Sequence, residues 1–306
     1  MTLLVREHTV RALARSEAGI GSVKDLGAEA VHGDLDHVEN WEQHLKGVDV
    51  LIHCASPVIF WGPWKSFDRH ISVATSKLLE AAARSGVKRF VYISSESVLQ
   101  DKAPLLDIDE RCPYPKRANS FYGEAKRKAE EILIASKSPV EIIILRPTFI
   151  WGLGCPAFKQ IGDNVRSGKF MWIDQGQVSF EAVHVENVCH AISLSLSKGK
   201  DRSIYFVTDD ERATVSEFFT RLFNALKLSV PKKSLPSWLA APLARIIEGI
   251  WKVFHIPSSP PLSRFELSFV QMPRRYDISR AKAELGYQPI KSRKAGFAEI
   301  ASQSEE

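Results

Sequence analysis

Short apolar runs alternate with amphipathic helical patterns along the first two-thirds of the chain. The apolar runs lie at 9–15, 28–35, 48–55, 88–95 and 140–147, and those at 48–55 and 140–147 are rich in the β-branched residues of buried strands. The helical patterns cover 72–86, where Gly86 is placed to end a helix, and 119–133. This alternation is typical of βαβ units, so we expect an α/β fold with a Rossmann-like, doubly wound parallel sheet.

The regular alternation ends near residue 150, where Gly/Pro-rich and mixed segments begin. We therefore predict a Rossmann-like dinucleotide-binding domain over 1–150 and a smaller, mainly substrate-binding lobe over 151–306. A helix at 183–196 and a strand at 203–210 are expected to return the chain to the first domain, at about 180–210. Ligands of such sheets bind beyond the carboxyl ends of the strands, so chemistry is expected directly after strands.

Composition limits the classes of partner. Of the 306 residues, 44% are hydrophobic and 25% charged, as in ordinary globular proteins. The net charge of +5 comes from scattered basic residues without interleaved aromatics, so nucleic acid is not an expected partner. Cys54, Cys112, Cys155 and Cys189 include no C-x-x-C pair, which favours a reduced, cytoplasmic setting and no metal site. We also expect no secretion signal, because no apolar leader with a cleavage site is visible.

Residues 235–257 form the most membrane-like stretch. Arg245, Glu248 and Lys252 recur on one helical stripe, and three charges argue against a spanning helix. The opposite stripe is apolar and consists of Leu239, Leu243, Ile246, Ile247, Ile250 and Phe254. Such a helix packs on its own protein or lies in a membrane interface. We favour packing, as the wall of an apolar substrate pocket, and keep peripheral membrane contact as the alternative.

Candidate chemistry centres on Tyr122 and Lys126, which lie four residues apart at the start of a predicted helix and share one face. A free tyrosine has a pKa of about 10, and an ammonium group one turn away is expected to lower it. Ser95, at a strand end, is placed to hydrogen-bond a substrate oxygen on which charge develops. Each feature is weak alone, but their order within one βαβ series suits hydride transfer with a nicotinamide.

These motifs and several others resemble the extended short-chain dehydrogenase/reductases, and within them the 3β-hydroxysteroid dehydrogenase-like branch. The segments "KGVDVLIHCAS", "VYISSESV" and "YGEAK" carry the crevice strand, the serine and the tyrosine–lysine pair. "WGPWKSF", "LRPTFIWGLG", "FEAVHVENV" and "YDISRAKAELGYQP" match further family segments in the same order. The resemblance covers nearly the whole chain, and it is the combination that is specific.

The resemblance implies a role for each site residue. Tyr122 is the proton donor and acceptor, Lys126 binds the nicotinamide ribose and lowers the tyrosine pKa, and Ser95 orients the reacting oxygen. The further cofactor contacts that it implies are Asp34 and Leu35 on the adenine side, Ala55 and Ser56 after the crevice strand, and Pro147 and Thr148 near the nicotinamide. One departure is Ile71, which stands where the family often has Asn and leaves no side-chain amide for a relay.

The start of the chain also departs from the family pattern, which opens with a strand, a glycine-rich turn that approaches the pyrophosphate, and a helix. No glycine precedes Gly19, which already lies beyond the strand predicted at 9–15. We therefore expect the first βα unit to be missing and dinucleotide binding to be weak. An incomplete start of a native enzyme and a genuinely degenerate member both fit, and the intact Ser-Tyr-Lys set favours the first.

The residues after the strand at 9–15 bear on cofactor choice. An acidic residue there would bind the ribose hydroxyls of NAD, whereas an arginine accommodates the 2′-phosphate of NADP. Arg15 and Ser16 come first and Glu17 only after them, so we predict NADP, with NAD as the alternative. An exposed arginine after a strand explains the same residues without a cofactor.

The leading hypothesis is an NAD(P)-dependent oxidoreductase that interconverts a secondary alcohol and a ketone on an apolar substrate, either sterol-like or a long-chain β-keto acid. An apolar pocket or a packed core would explain the aromatic residues of the second lobe, namely Trp151, Phe158, Phe170, Trp172, Trp238 and Trp251.

A sugar-nucleotide epimerase or dehydratase is the alternative enzyme, but the second lobe shows no clear arginine cluster for a diphosphate. A non-catalytic dinucleotide-sensing or interaction protein is the alternative outside enzymes. The resemblance also implies a homodimer, which is common in that family.

Overall fold

The computed structural model of the protein describes residues 4–57, 61–101, 103–254, 256 and 258–303. The strands are β1 (Arg11–Ala14), β2 (Glu29–His32), β3 (Val50–His53), β4 (Arg89–Ile93), β5 (Leu105–Ile108), β6 (Glu141–Pro147), β7 (Phe149–Trp151), β8 (Trp172–Ile173), β9 (Ala182–His184), β10 (Ser203–Val207), β11 (Ser234–Leu235) and β12 (Arg274–Tyr276). The α-helices are α1 (Glu17–Asp25), α2 (Trp64–Phe67), α3 (Ala74–Arg84), α4 (Phe121–Ala135), α5 (Pro156–Arg166), α6 (Val185–Ser195), α7 (Val215–Ala225), α8 (Ser237–Val253), α9 (Arg264–Gln271) and α10 (Arg293–Gln303).

Four parallel strands form the central sheet, in the order β10–β6–β4–β3. The residues Val91, Ile143 and Tyr205 at its centre are fully buried, which explains why these strands appear in the sequence as continuous apolar runs. The strands predicted at 48–55, 88–95 and 140–147 are confirmed. The predicted return is confirmed as well, because α6 and β10 follow the second-lobe segments and β10 pairs with β6. The division of the chain into two domains at residue 150 stays a prediction.

The strands β1 and β2 pair with each other in parallel and form a separate two-stranded sheet. Within the described part of the chain, no ladder joins β1 to β3, and only the 3-10 turn Leu4–Arg6 precedes β1. In a doubly wound sheet the first strand lies between the strands that correspond to β1 and β3. The sheet is therefore divided at the position of the first βα unit, and the predicted fold class is confirmed.

The single helix predicted over 72–86 is longer and has a π-helical segment. The helix α2 runs through the π-helical residues Asp68–Val73 into α3, and Gly86 ends it with φ of +75°. Ile71, at the position of the family's Asn, is buried in this segment. The Ser72 hydroxyl donates to the Ala125 carbonyl over 3.1 Å. This bond ties the π-helical segment to α4, which carries the tyrosine.

The aromatic residues of the second lobe form a packed core. Trp151, Phe158 and Trp172 are buried in a cluster with aromatic residues of α7, and Phe170 packs against its edge. Trp238 and Trp251 lie outside this cluster, and 71% of Trp238 is exposed. For the side chains in the cluster the packed-core explanation is therefore confirmed, and they fill the interior of the lobe.

The helix α8 faces the opposite way from our expectation. Its inward side consists of small residues, Ala240 and Ala244, together with Glu248, whose carboxylate binds Arg264 over 2.7 Å. Small side chains allow α8 to approach α9 closely, so this face packs and the apolar stripe is left outside. The preferred prediction, that the apolar stripe packs on the protein, is wrong. No helix in the described part of the chain is long and apolar enough to span a membrane.

Candidate active site

A close helix approach brings the predicted residues together. The Ser120 hydroxyl accepts from the Gly123 amide over 3.0 Å and caps α4 just before Tyr122. A Cβ on Gly123 would lie 2.5 Å from the carbonyl oxygen of Ser97, so a glycine is required there. Ser97 belongs to the turn that Ser95 caps at the end of β4. The first turn of α4 is therefore packed directly on the strand end that carries Ser95.

Tyr122 lies with two serine hydroxyls at the carboxyl ends of β3 and β4. Burial raises the pKa of Tyr122 to about 12; hydrogen bonding to Ser56 and Ser95 opposes the rise, and the charge of Glu96 adds to it. The phenol is therefore protonated at neutral pH and can act as a proton donor. The expected net fall of the Tyr122 pKa is therefore wrong for this structure, because burial outweighs the hydrogen bonds that favour the phenolate.

Lys126 lies beneath the tyrosine and is 2% exposed. Its ammonium group donates to the Ile93 carbonyl oxygen over 2.7 Å and lies 5.9 Å from the centre of the Tyr122 ring. Burial lowers the pKa of Lys126 to about 8, against the opposing charge of Glu130 and Cys54. The lysine is thus predominantly charged at neutral pH and fixed by the backbone of β4.

Two buried hydroxyls lie where we predict the nicotinamide side of the cofactor site. Ser94 directly follows β4 and Thr148 directly follows Pro147 of β6, and both hydroxyls are buried without a hydrogen-bond partner in the described residues. An unsatisfied buried polar group costs about 1–3 kcal/mol. These residues therefore fit a ligand that brings polar atoms to this edge, as the ribose and carboxamide of a nicotinamide nucleotide would. Ala55 and Ser56 extend the same edge beyond β3.

The adenine side is less complete. Arg15 is exposed between β1 and α1, while the Ser16 hydroxyl accepts from the Gly19 amide over 3.2 Å as the cap of α1. Asp34 accepts from two backbone amides of its own turn, and Leu35 packs on the core. The described residues include no glycine-rich turn between a strand and a helix for a pyrophosphate. The binding roles of these residues stay predictions.

His53 is a buried polar residue near Lys126 that the motifs in the sequence did not indicate. His53 Nε2 lies 3.1 Å from the Thr75 hydroxyl, and burial, followed by the charge of Lys126, lowers the pKa of His53 to about 3. The ring is therefore neutral. Its signal was present in the sequence, because His53 interrupts an otherwise apolar strand.

Glu96 was missed in the same way. It directly follows Ser95, is 2% exposed, and accepts a hydrogen bond of 2.9 Å from the Tyr276 hydroxyl. Arg274 lies 3.7 Å from its other oxygen. Arg274 and Tyr276 thus neutralise the Glu96 carboxylate next to the site. The sequence did not show this pairing, because the residues lie far apart along the chain.

A second cluster has metal-ligand residue types. His184, Glu186 and Glu299 place ligand atoms within 4.8 Å of one another. The ammonium group of Lys291 lies 2.9 Å from a carboxylate oxygen of each glutamate and already supplies the positive charge. The arrangement gives no support for a metal at this position.

The chain is similar to known proteins over most of its length. The profile of the 3-beta hydroxysteroid dehydrogenase/isomerase family matches residues 4–237. The 4-hydroxy-2-methyl-3-oxo-4-farnesyl-3,4-dihydroquinoline-1-oxide ketoreductase of Stigmatella aurantiaca is 32% identical, over 93% of this chain and 86% of its own length. A 3 beta-hydroxysteroid dehydrogenase/Delta 5→4-isomerase of Mycobacterium tuberculosis is 26% identical, over 94% and 82%. Among solved structures, gox2253 superposes with a TM-score of 0.77 at 25% identity, over 97% of this chain and 92% of its own.

The fold and these relatives define an NAD(P)-dependent oxidoreductase of the short-chain dehydrogenase/reductase type. The chain belongs to the 3-beta hydroxysteroid dehydrogenase/isomerase family. The predicted family, fold and reaction class are confirmed. The UDP-glucuronic acid 4-epimerase of Bacillus cereus, solved with NAD, has a TM-score of 0.72 at 18% identity, over 98% of this chain and 89% of its own, and shares the fold alone. The cofactor class is a nicotinamide dinucleotide.

Proposed function

We propose that this protein reduces a ketone to a secondary alcohol on a bulky apolar substrate, and runs the reverse oxidation, with Tyr122 as the proton donor and NADP as the cofactor. The observation that carries the proposal is the convergence of Tyr122, Ser95 and Lys126 at the carboxyl ends of neighbouring parallel strands. Ligands of doubly wound sheets bind at this edge.

The residues divide the work of the reaction. When bound, the reduced nicotinamide supplies a hydride to the carbonyl carbon. Tyr122, protonated because its pKa is about 12, donates its proton to the carbonyl oxygen as charge develops there. The Ser95 hydroxyl donates a hydrogen bond to the same oxygen and orients it. The Lys126 ammonium stabilises the phenolate that remains, at the short range set by its bond to Ile93.

Arg15 supports NADP over NAD. Its side chain is exposed at the end of β1, and α1 begins two residues later with its free amide groups. A 2′-phosphate at this point would meet a guanidinium and the positive end of a helix. Glu17 in the first turn of α1 is the opposing charge, so the preference rests on Arg15.

The apolar substrate class is supported by the names of relatives. The Stigmatella relative is named for an oxo compound with a farnesyl chain, and a Dictyostelium discoideum relative, 26% identical over 93% of this chain, for a sterol carboxylate. A Stenotrophomonas maltophilia relative, 25% identical over 99% of this chain, is named a 2-alkyl-3-oxoalkanoate reductase. Each name places an oxidisable or reducible position on a large apolar body.

The test compares Tyr122→Phe with Tyr205→Phe, a matched loss of one hydroxyl on β10. NADPH consumption is measured with a 3-oxo steroid and with a 2-alkyl-3-oxo ester, and NADPH affinity by fluorescence titration. General acid catalysis contributes about 10²–10⁴-fold, so Tyr122→Phe should lose at least 100-fold in kcat and keep its NADPH affinity. Full turnover by Tyr122→Phe would show that another group supplies the proton, and a preference for NADH would contradict the NADP assignment.

A further inference from the structure

The outward face of α8 is apolar along its whole length. The exposed fractions are 71% for Trp238, 61% for Ile246, 71% for Val253 and 72% for Phe254. Leu239, Leu243 and Ile250 are exposed by 42%, 42% and 43%. At about 100° per residue, these positions, which we call the apolar stripe, fall within one sector of about 160°. A contiguous exposed patch of this kind marks an interaction surface.

The stripe is held outward by fixed contacts on the other side of the helix. Ala240 and Ala244 are fully buried against Leu267 of α9 and Ile173. The Ser237 amide, in the first turn, donates to Asp174 over 2.9 Å. The helix is therefore docked by its small-residue face, and no rotation about its axis could bury the stripe without breaking these contacts.

Along the chain from Val230 to Phe254, the exposed charged residues are all basic. Lys232, Lys233, Arg245 and Lys252 are exposed, and the one acid of α8, Glu248, is turned inward to Arg264. On the helical wheel Arg245 and Lys252 border the stripe on one side. Asp174, an exposed acid at the start of the helix, accepts the hydrogen bond of the Ser237 amide.

We propose that α8 is an interfacial helix that lies on an anionic lipid bilayer. The apolar stripe would enter the boundary between headgroups and acyl chains, and the four basic side chains would meet the headgroups. Charge selects this occupant over a second copy of the chain, because pairing two identical stripes would bring basic residues toward basic residues. Because α8 has 17 residues, it can lie flat over about 25 Å of membrane surface.

The test uses the full chain and flotation with vesicles of phosphatidylcholine, with and without phosphatidylglycerol. The stripe variant is Ile246→Ser, Val253→Ser and Phe254→Ser together. Its matched control is Leu106→Ser with Ile290→Ser, which are 48% and 55% exposed elsewhere. We expect wild type and control to float with the anionic vesicles and the stripe variant to remain at the bottom, with equal melting temperatures.

Charge is tested separately with Arg245→Gln and Lys252→Gln, against Lys24→Gln and Lys137→Gln. Each basic residue near an anionic surface contributes about fivefold in affinity, so the first pair should lose about 30-fold and the control pair much less. Absence of wild-type flotation, or equal flotation of the stripe variant, would overturn the proposal. If wild type bound neutral and anionic vesicles with equal affinity, and Arg245→Gln with Lys252→Gln had no effect, the preference for an anionic surface would be contradicted. A dimer in sedimentation that the stripe variant dissociates, without vesicle binding, would assign the stripe to a second copy.

Discussion

Replacing Glu130 by Gln tests whether the buried ion pair between Glu130 and Arg146 stabilises the fold around the candidate active site. Glu130, on α4 one turn after Lys126, is fully buried and binds Arg146 of β6, which is 1% exposed. The Arg146 guanidinium donates to its carboxylate over 3.0 Å from Nε and 2.5 Å from Nη2, and the Tyr114 hydroxyl donates over 2.6 Å. This pair connects the helix of the tyrosine and lysine to the strand that ends at the predicted nicotinamide site.

The magnitude follows from burial. Glu130→Gln keeps the shape of the side chain but leaves the Arg146 charge unpaired in the interior. The amide NH₂ of the glutamine, itself a donor, would also face the donor groups of Arg146 and Tyr114. Removing one partner of a buried ion pair costs about 3–5 kcal/mol. The matched control is Glu131→Gln on the same helix, whose carboxylate is 46% exposed and pairs with Arg127. An exposed helical pair contributes about 0.3–0.5 kcal/mol, so the control should be nearly neutral.

Urea unfolding monitored by circular dichroism gives both free energies. A second readout is kinetic. The negative charge of Glu130 raises the pKa of Lys126, so the loss of that charge should move the alkaline limb of the pH–rate profile for ketone reduction to lower pH. A loss of less than about 1 kcal/mol for Glu130→Gln, no larger than for the control, would refute the account of the buried pair.

Three further predictions concern the site itself. Gly123→Ala should lower kcat by about 100-fold, because its Cβ would lie 2.5 Å from the Ser97 carbonyl oxygen and displace the helix that carries Tyr122. Gly21→Ala is the control, since its Cβ would meet nothing within 4 Å and should leave kcat unchanged. Equal kcat values for the two variants would contradict the close packing of Gly123 on Ser97. Ketone reduction should fall as pH rises through about 8, where Lys126 loses its charge while Tyr122 stays protonated; a pH–rate profile that is flat there would assign no role to the ammonium. Arg15→Ala should raise KM for NADPH roughly tenfold and leave KM for NADH unchanged; equal changes would remove the 2′-phosphate contact.

The sequence predicted the central sheet well because its strands are buried on both faces and therefore appear as continuous apolar runs. It also predicted the helix of Tyr122 and Lys126, whose spacing alone places both residues on one face. The π-helical segment at Asp68–Val73 was not predictable, because it depends on the contact between Ser72 and α4.

Two errors share one cause, namely that a local pattern does not show what packs against it. The pKa of Tyr122 depends on how deeply α4 sits against β4, and burial reversed the direction expected from the neighbouring lysine. The helix α8 has an apolar face and a small-residue face, and its amphipathic pattern favoured burial of the first. The structure buries Ala240 and Ala244 instead, because the small face allows closer approach to α9.

The most direct test of the central claim follows the hydride. The protein is given a 3-oxo steroid or a 2-alkyl-3-oxo ester with NADPH that carries deuterium at both C4 positions of the nicotinamide, and the alcohol is examined by mass spectrometry. Wild type should place one deuterium on the carbinol carbon, and Tyr122→Phe should form this product at least 100-fold more slowly despite bound NADPH. Unlabelled alcohol, or labelled alcohol formed at the wild-type rate by Tyr122→Phe, would contradict that claim.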